Sequence, residues 1–457
     1  MPVSPARATA FDILLRVEQA DAYASELLHA SHRKELSPAH HNLDHGLATE
    51  LVMGVLRWRS SLDRRIGEHS SQPLEKLDAE VLTALRLATY QLEFLDRVPQ
   101  RAAVHESVEL VKRARKRSAV PFVNAVLRKL AIGAARHDRA KAIRDANNVL
   151  ELSEASAHPV WLVERWAQYF GFDAARRICE HDQSAPEMAI RLGASSLDRS
   201  STEGELERHG VHLTPGRLLS SARRVQSGDI TTTDAFRHGQ IAIQDEASQL
   251  VALLVGRRMR TPILDCCAAP GGKTRLIAEC NPDAAIIAME LHPHRARTLR
   301  KLVVAKNVEV IAADARQIPL SSHFDRILVD APCSGTGTLA RNPEIKWRLG
   351  PDDLADLQAR QLAILQSAMQ HMQPGGRLVY STCSLEPEEN SEVVERSLAS
   401  DGSFCLLDCR AELELLRSQG ELAWEDIESL VSGPYLRTIS GLHPCEGFFA
   451  AVIGKQS

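Results

Sequence analysis

Long hydrophobic runs are missing from this sequence of 457 residues. Its longer apolar stretches, such as Leu250–Val255 and Phe448–Ile453, fall far short of the ~18 residues that a membrane-spanning helix needs. Met1–Ala20 does not have the charged stretch and apolar core of a secretion signal. We therefore expect a cytoplasmic protein that makes no contact with a membrane.

Cys-x-x-Cys pairs are also absent, and the nine cysteines are an odd number. In a chain without a secretion signal, this argues against a disulfide framework and favours reduced thiols. Cys405 and Cys409 have no histidine or second cysteine pair near them in the sequence, so we expect no metal site. Aromatic residues make up only 4% of the chain, which argues against a long surface for stacking unpaired bases.

The net charge of -4 is unevenly distributed along the chain. Residues 1–140 contain 21 Lys and Arg against 17 Asp and Glu, whereas residues 401–457 contain 4 against 9. One basic run stands out in the first part: Lys112, Arg113, Arg115, Lys116 and Arg117. Such a run is usually a solvated helix face, but it also carries enough charge to contact several phosphates. Both interpretations stay open at this point.

The sequence predicts three domains. Residues 1–140 have apolar residues at three-to-four spacing, as in Leu77, Val81 and Leu85, which predicts a helical bundle. Residues 145–234 combine a helix near Trp161–Phe170 with a short strand at Met188–Leu192, which indicates a small α/β connector. Residues 235–457 form the third domain.

In this third domain, short apolar strands alternate with helices, a pattern typical of a Rossmann-like parallel sheet covered on both faces. The predicted strands are Pro262–Cys266, Ala285–Glu290, Val308–Ala313, Asp325–Asp330, Arg377–Ser381 and a final one within Gly447–Gly454. A long helix near Asp352–Met372 separates the fourth strand from the fifth. We therefore expect a multidomain protein with one all-α domain and a C-terminal α/β domain.

The turn after the first of these strands has the features of a ligand-binding loop. It consists of Cys267, Ala268, Ala269, Pro270, Gly271, Gly272 and Lys273. A strand that ends in such a turn and opens a helix presents unpaired backbone amides to an anionic group. A phosphate-binding P-loop is excluded because Cys267 stands where that motif needs a glycine. The dinucleotide-binding fingerprint is excluded because Cys267 and Ala269 occupy glycine positions.

Acidic residues close three successive strands of the predicted sheet: Glu290, Asp314 and Asp330. Each could be an ordinary surface acid, but in a parallel sheet all three would meet at the same edge as the glycine turn. A carboxylate after the second strand suits ribose hydroxyls, and the amides suit a carboxylate of the ligand. A ligand with an adenine, a ribose and a carboxylate but no phosphate fits best, which predicts S-adenosylmethionine.

Two cysteines, Cys333 and Cys383, lie in loops that follow strands of the same sheet. A single cysteine is usually a buried apolar residue, but two beside a nucleotide crevice favour chemistry. A thiolate added to C6 of cytosine makes C5 nucleophilic enough to take a methyl group. Asp330 could stabilise that adduct, and Lys273 is a candidate neighbour that favours the thiolate. This chemistry does not decide which cysteine attacks.

The motifs at these positions resemble the Sun/RsmB family of 16S ribosomal RNA cytosine-C5 methyltransferases, within the NOL1/NOP2/Sun group. The matching stretches are Gln244–Ser248, Cys267–Lys273, Asp330–Gly337, Thr382–Ser384 and Pro387–Asn390. The resemblance implies that Cys383 is the nucleophile and that Cys333 assists release of the product. It also implies ribosomal RNA, free or in a partly assembled small subunit, as substrate.

Two stretches of the first domain, Pro99–Glu106 and Phe122–Arg128, resemble the NusB fold. This resemblance favours RNA binding by the basic run. The family's connector usually has Arg-x-Asn after its short strand, whereas here Arg191 is followed by Leu192 and Gly193.

Two alternatives to a ribosomal RNA methyltransferase stay open. One is a transfer RNA cytosine-C5 methyltransferase, and the other is a non-catalytic RNA-binding factor in assembly or antitermination. We expect the protein to be a monomer.

Overall fold

The computed structural model describes residues 3–20, 22–32, 41–132, 138–193, 199–257 and 260–456. The chain divides into two compact units. The helical unit comprises Met1–Ala185 together with Leu339–Arg348, and the α/β unit comprises Pro186–Thr338 together with Leu349–Ser457. The three domain boundaries inferred from the sequence stay predictions. Within the described residues, no helix is both long and apolar enough to cross a membrane.

The helical unit is built from helices throughout its described residues, as the spacing of apolar residues predicts. Apolar residues of α5 such as Val81, Leu85 and Ala88 are buried, as are Leu51 and Val55 of α3. The helices are α1 (Pro5–Ala20), α2 (Ala24–His32), α3 (His41–Arg57), α4 (Arg59–Gly67), α5 (Ala79–Phe94), α6 (Gln100–Arg113), α7 (Val120–Ile132), α8 (Arg139–Asp145), α9 (Val149–Ser156), α10 (Val160–Phe170) and α11 (Phe172–Asp182). Helix α17 (Ile345–Arg348), much later in the sequence, belongs to the same unit.

The α/β unit begins with a small antiparallel sheet in the order β2-β3-β1-β4. The predicted strand Met188–Leu192 is β1. The other elements of this part are α12 (Arg199–Arg208), β2 (His212–Pro215), β3 (Ala222–Ser227), α13 (Asp234–Arg237) and β4 (Ile241–Ile243). Ile190, Leu206 and Ile241 are among the residues of its own apolar core.

The large sheet of the α/β unit has the order β11-β12-β13-β9-β8-β5-β6-β7, with β10 paired to β13. Strands β9, β8, β5, β6 and β7 are parallel to one another, and β13 runs antiparallel to β9. Its strands are β5 (Ile263–Asp265), β6 (Ile286–Glu290), β7 (Val308–Ala312), β8 (Phe324–Asp330), β9 (Met372–Thr382), β10 (Phe404–Leu407), β11 (Val431–Ser432), β12 (Tyr435–Thr438) and β13 (Phe448–Lys455).

Helices cover both faces of this sheet and complete the apolar cores on them. They are α14 (Glu246–Leu254), α15 (Gly272–Cys280), α16 (Pro293–Leu302), α18 (Asp353–Gln370), α19 (Ser391–Ala399) and α20 (Cys409–Ser418). The parallel register pairs Asp265 with Leu328 and Asp330 with Ser381, so the carboxyl ends of β5, β8 and β9 lie at one edge. The sequence-based prediction of a Rossmann-like parallel sheet is confirmed, and this edge is where its strand-end residues meet.

Candidate active site

The predicted cofactor loop connects β5 to α15, and a glycine is needed at its end. Gly271 precedes the helix with a φ of 112°, a backbone conformation that side chains rarely adopt. A Cβ at this position would lie 2.4 Å from Val303 Cγ2 and 2.6 Å from Leu299 Cδ1. The turn can therefore approach α16 closely only because this residue has no side chain.

Asp265 fixes the same turn from the end of β5. Its Oδ2 accepts a 2.7 Å hydrogen bond from Thr274 Oγ1 in the first turn of α15. Burial raises the pKa of Asp265 to about 7. Asp265 is not among the site residues predicted from the sequence, although an acid that closes a buried strand directly before a glycine turn is a signal that could have indicated it.

The three strand-end carboxylates have different surroundings. Glu290 is buried at the end of β6 and lies 3.6 Å from Arg295. Asp314 follows β7, and its hydrogen bonds with the Arg316 guanidinium lower its pKa. Glu290 is thus the enclosed acceptor beside the cofactor loop, whereas Asp314 is more exposed and already paired.

Asp330 ends β8 and links the cofactor loop to the cysteine loops. Its Oδ2 accepts a 2.8 Å hydrogen bond from Lys273 Nζ, and its Oδ1 accepts one of 2.8 Å from Ser381 Oγ. Burial lowers the pKa of Lys273, but the charge of Asp330, its hydrogen bond and the charge of Cys383 outweigh burial, so that the pKa is raised. Lys273 is therefore a partly buried cation that lies close enough to Cys383 for the two groups to interact electrostatically.

The two cysteines that the sequence places in strand-end loops lie side by side. Cys333 Sγ and Cys383 Sγ are 3.3 Å apart. The hydrogen bond to Cys383, followed by burial, raises the pKa of Cys333 well above its usual range. In this arrangement Cys333 remains a thiol near neutral pH and can donate its hydrogen bond to the Cys383 sulfur.

A buried carboxylate, Glu389, joins the two cysteine loops. Its Oε1 accepts hydrogen bonds from Ser334 N at 2.8 Å and from Gln361 Nε2 at 2.9 Å. Its Oε2 accepts from the hydroxyls of Ser334 and Ser384, the residues that follow the two cysteines. Glu389 belongs to one of the stretches that carry the family resemblance, Pro387–Asn390, but it is not among the site residues predicted from the sequence.

The backbones of the two loops also contact each other directly. Gly337 N donates a 2.9 Å hydrogen bond to Cys383 O. A Cβ at Gly337 would lie 2.1 Å from Gly447 O and 2.9 Å from Cys383 O, so only glycine fits there. The separation of the thiols is therefore set by backbone contacts as well as by Glu389.

In the helical unit, the predicted RNA-binding run lies at the end of α6 and in the turn that follows. Lys112 pairs with Glu109 at 2.7 Å, Arg113 with Asp12 at 2.7 Å and Lys116 with Asp78 at 3.1 Å. Arg115 adopts a φ of 62°, and Arg117 opens a short 3-10 turn. Three of the five cations of the run therefore have acidic neighbours.

Comparisons with known proteins agree with these features. Three protein-family models match the chain. The model described as "16S rRNA methyltransferase RsmB/F" matches residues 252–453, and the model described as "NusB family" matches residues 4–131. The model described as "Methyltr_RsmF/B-like, ferredoxin-like domain" matches residues 158–230. A Bacillus subtilis protein described as probable ribosomal RNA small subunit methyltransferase B is 36% identical over 413 residues, which is 88% of this chain and 90% of that protein.

Solved structures share the fold. A methyltransferase homologue from Pyrococcus horikoshii is 28% identical, covers 68% of this chain and 99% of its own, and has a TM-score of 0.57. Another crystal structure, 24% identical, covers 100% of both chains with a TM-score of 0.83. The helical domain, connector and α/β domain therefore recur together in a known protein architecture.

Proposed function

This chain belongs to the RsmB/F family of 16S rRNA methyltransferases, and on that premise we propose that it methylates C5 of a cytosine in small-subunit ribosomal RNA. The observation that carries the proposal is the 3.3 Å separation of Cys333 Sγ and Cys383 Sγ beside the Lys273–Asp330 ion pair. The reaction would take place in the cytoplasm, on free ribosomal RNA or a partly assembled small subunit.

The residues at the cofactor loop fit S-adenosylmethionine. The close turn at Gly271 and the buried carboxylate of Glu290 offer backbone amides and an acceptor for ribose hydroxyls. Cys267–Lys273, Glu290, Asp314 and Asp330 are the residues proposed to hold it. When bound, S-adenosylmethionine supplies an electrophilic methyl group.

Cys383 is proposed as the nucleophile. Its thiolate forms a bond to C6 of the cytosine, and C5 becomes electron-rich and accepts the methyl group. Lys273, held by Asp330 at 2.8 Å, stabilises the thiolate before attack. Asp330 is proposed to accept a hydrogen bond from the exocyclic amine of the base, which would stabilise the adduct. The target base must leave its stack, since C6 is approached from above the ring.

Cys333 is proposed to complete the reaction. Once Cys383 is bonded to carbon, its sulfur becomes a weaker hydrogen-bond acceptor and loses its charge, so both effects of Cys383 that raise the pKa of Cys333 are reduced. Cys333 can then transfer its proton to water, and the resulting Cys333 thiolate takes the proton from C5. The C5–H electrons restore the C5–C6 double bond, and the Cys383 thiolate leaves. The same contact thus keeps Cys333 protonated before attack and frees it to act as a base afterwards.

RNA with 5-fluorocytosine at the target tests both roles, because fluorine at C5 cannot leave as a proton does. We expect the parent protein to form a covalent RNA complex that resists denaturing electrophoresis, and Cys383→Ala to form none. Cys333→Ala should form such a complex with unmodified RNA, since release is blocked. The reverse behaviour of the two variants would contradict the role assignment.

The substrate class needs its own comparison. Purified small-subunit ribosomal RNA and transfer RNA are offered separately, with radiolabelled S-adenosylmethionine, and the position of the label is mapped to the carbon. Label on C5 of cytosine in ribosomal RNA alone is the expected result. Label in transfer RNA would favour a transfer RNA methyltransferase. No label in either RNA, although both are bound, would favour a non-catalytic RNA-binding factor.

A further inference from the structure

Helix α16 of the α/β unit carries a strongly cationic surface that the proposed reaction does not use. Residues 291–308 contain no Asp or Glu. They contain five cations, all exposed, which together form the α16 cationic surface: Arg295, Arg297, Arg300, Lys301 and Lys306. The apolar residues of the helix face the other way, since Ala296 and Leu299 pack into a core with Ala288 of β6 and Val310 of β7.

Among the residues that the structure describes, few acidic groups compensate the charge of this surface. Arg295 lies 3.6 Å from Glu290. Arg297 Nε donates instead to the backbone oxygen of Pro293 at 3.3 Å, and Arg300 Nη2 donates to that of Val310 at 2.7 Å. A carbonyl holds a guanidinium in place without cancelling its charge. The basic run of α6, in contrast, has three of its five cations beside carboxylates.

The position of α16 relates this charge to the cofactor crevice. The helix follows β6, whose last residue is Glu290. Arg295 Nη2 lies 3.5 Å from Ala269 O in the cofactor loop. The first turn of α16 therefore borders the cofactor crevice. The later cations of the surface lie farther from the crevice, beside β7, which is the last strand in the order of the sheet.

We propose that the α16 cationic surface binds backbone phosphates of the RNA strand next to the target cytosine. The inference rests on the proposed function, because RNA is then the polyanion that must reach this crevice. Exposed guanidinium groups without acidic partners suit phosphate oxygens, which they contact without reading the base sequence. The surface would hold the strand in register while the base enters the site.

The experiment neutralises two cations that touch neither the cofactor loop nor Glu290. Full-length R297Q/K301Q and the parent are titrated against a fluorescent small-subunit ribosomal RNA fragment, with anisotropy measured over a range of salt concentrations. If each cation contacts one phosphate, the variant binds more weakly and its slope of log K against log salt is less steep by about 2. The single variants R297Q and K301Q should each give about half of that change.

A charge-matched control is R396Q/R417Q, which changes the net charge equally on α19 and α20. Helix α20 packs against β12, towards the other end of the strand order. This control should retain the parent's affinity and slope, and calorimetry should give unchanged S-adenosylmethionine binding for both double variants. Parent-like RNA binding by R297Q/K301Q would overturn the inference alone, whereas failure of the parent to bind or methylate the RNA would overturn the proposed function.

Discussion

The carboxylate of Glu389 shows how one residue can control the geometry of two others. It accepts from the backbone or hydroxyl groups of Ser334 and Ser384, each adjacent to a cysteine of the candidate site. It is fully buried, so its acceptor capacity is used by the protein and not by water. A buried carboxylate with several donors is sensitive to replacement by an amide, because the amide nitrogen offers hydrogens where donors already point.

Glu389→Gln is therefore expected to move the cysteine loops apart without disturbing the cofactor loop. The kcat for methyl transfer should fall roughly tenfold to a hundredfold, since small displacements of reacting groups have effects of this size. The KM for S-adenosylmethionine should change little. Initial-rate kinetics and the yield of the 5-fluorocytosine complex measure the two effects.

Glu392→Gln is the matched control for this change, because Glu392 is an exposed carboxyl of the same segment. It should retain the parent's kcat. A Glu389→Gln protein with normal kcat would show that Glu389 does not position the thiols. A rise in KM equal to the fall in kcat would point to general damage of the site.

The sequence allowed some of these residues to be identified and not others. Cys333 and Cys383 could be placed together because both follow strands whose carboxyl ends share an edge. Glu389 could not be singled out, since Glu386, Glu388 and Glu389 stand close together in the sequence. Which of them turns towards Ser334 depends on the short 3-10 turn Pro387–Glu389, whose geometry the residue pattern does not encode.

At the scale of elements, Leu339–Arg348 is the segment whose placement the sequence predicts least. It directly follows the loop of Cys333, yet it belongs to the helical unit. Lys346 Nζ donates to Arg57 O at 2.9 Å and to Ala157 O at 3.1 Å, and Trp347 Nε1 donates to Leu56 O. These oxygens lie at the ends of α3 and α9, where carbonyls have no partner within the helix.

Regular elements were more predictable than this segment, because periodicity reports burial. The strand Met188–Leu192 and the strands near Glu290 and Asp330 follow directly from their apolar residues. Strand β9 is longer than the predicted strand Arg377–Ser381, because it begins at Met372 and includes Pro374, Gly375 and Gly376. Lys346 gave no periodic signal at all, and a lysine is rarely buried.

Lys346→Ala should destabilise the helical unit through this segment. Two buried carbonyls lose their donor and a cavity replaces the side chain, so we expect the free energy of unfolding to fall by about 3 kcal/mol. Urea unfolding followed by tryptophan fluorescence measures this, because four of the five tryptophans belong to the helical unit.

The exposed Lys76 provides the control, and Lys76→Ala should change the free energy by less than about 0.5 kcal/mol. If Lys346→Ala unfolds at the same urea concentration as the parent, the segment is held by its other contacts. Such a result would also show that Lys346 does not hold the segment Leu339–Arg348 in place.

At the scale of the whole molecule, the formal net charge of -4 counts each acidic and basic group as ordinarily ionised. Burial changes the ionisation of some of these groups. Asp265 is the clearest case within the α/β unit. Burial raises its pKa to about 7 from an ordinary value of 3.8. Between pH 3.8 and about pH 7, Asp265 keeps its proton in the folded protein, whereas the unfolded chain has released it. The contribution of Asp265 to the free energy of unfolding therefore falls as pH rises.

Asp265→Asn is expected to remove this pH dependence while keeping an oxygen that accepts from Thr274 Oγ1. Below about pH 4 the carboxyl is protonated in both states, so Asp265 adds no pH-dependent difference there. From pH 4 to pH 7 the variant should gain stability relative to the parent by up to about 4 kcal/mol. Urea unfolding of the ligand-free proteins, followed by circular dichroism, gives the free energy of unfolding of variant and parent at each pH. The control Asp283→Asn, at an exposed carboxyl, should show the same pH dependence as the parent. A constant difference between variant and parent across this window would mean that Asp265 is ionised in the folded protein.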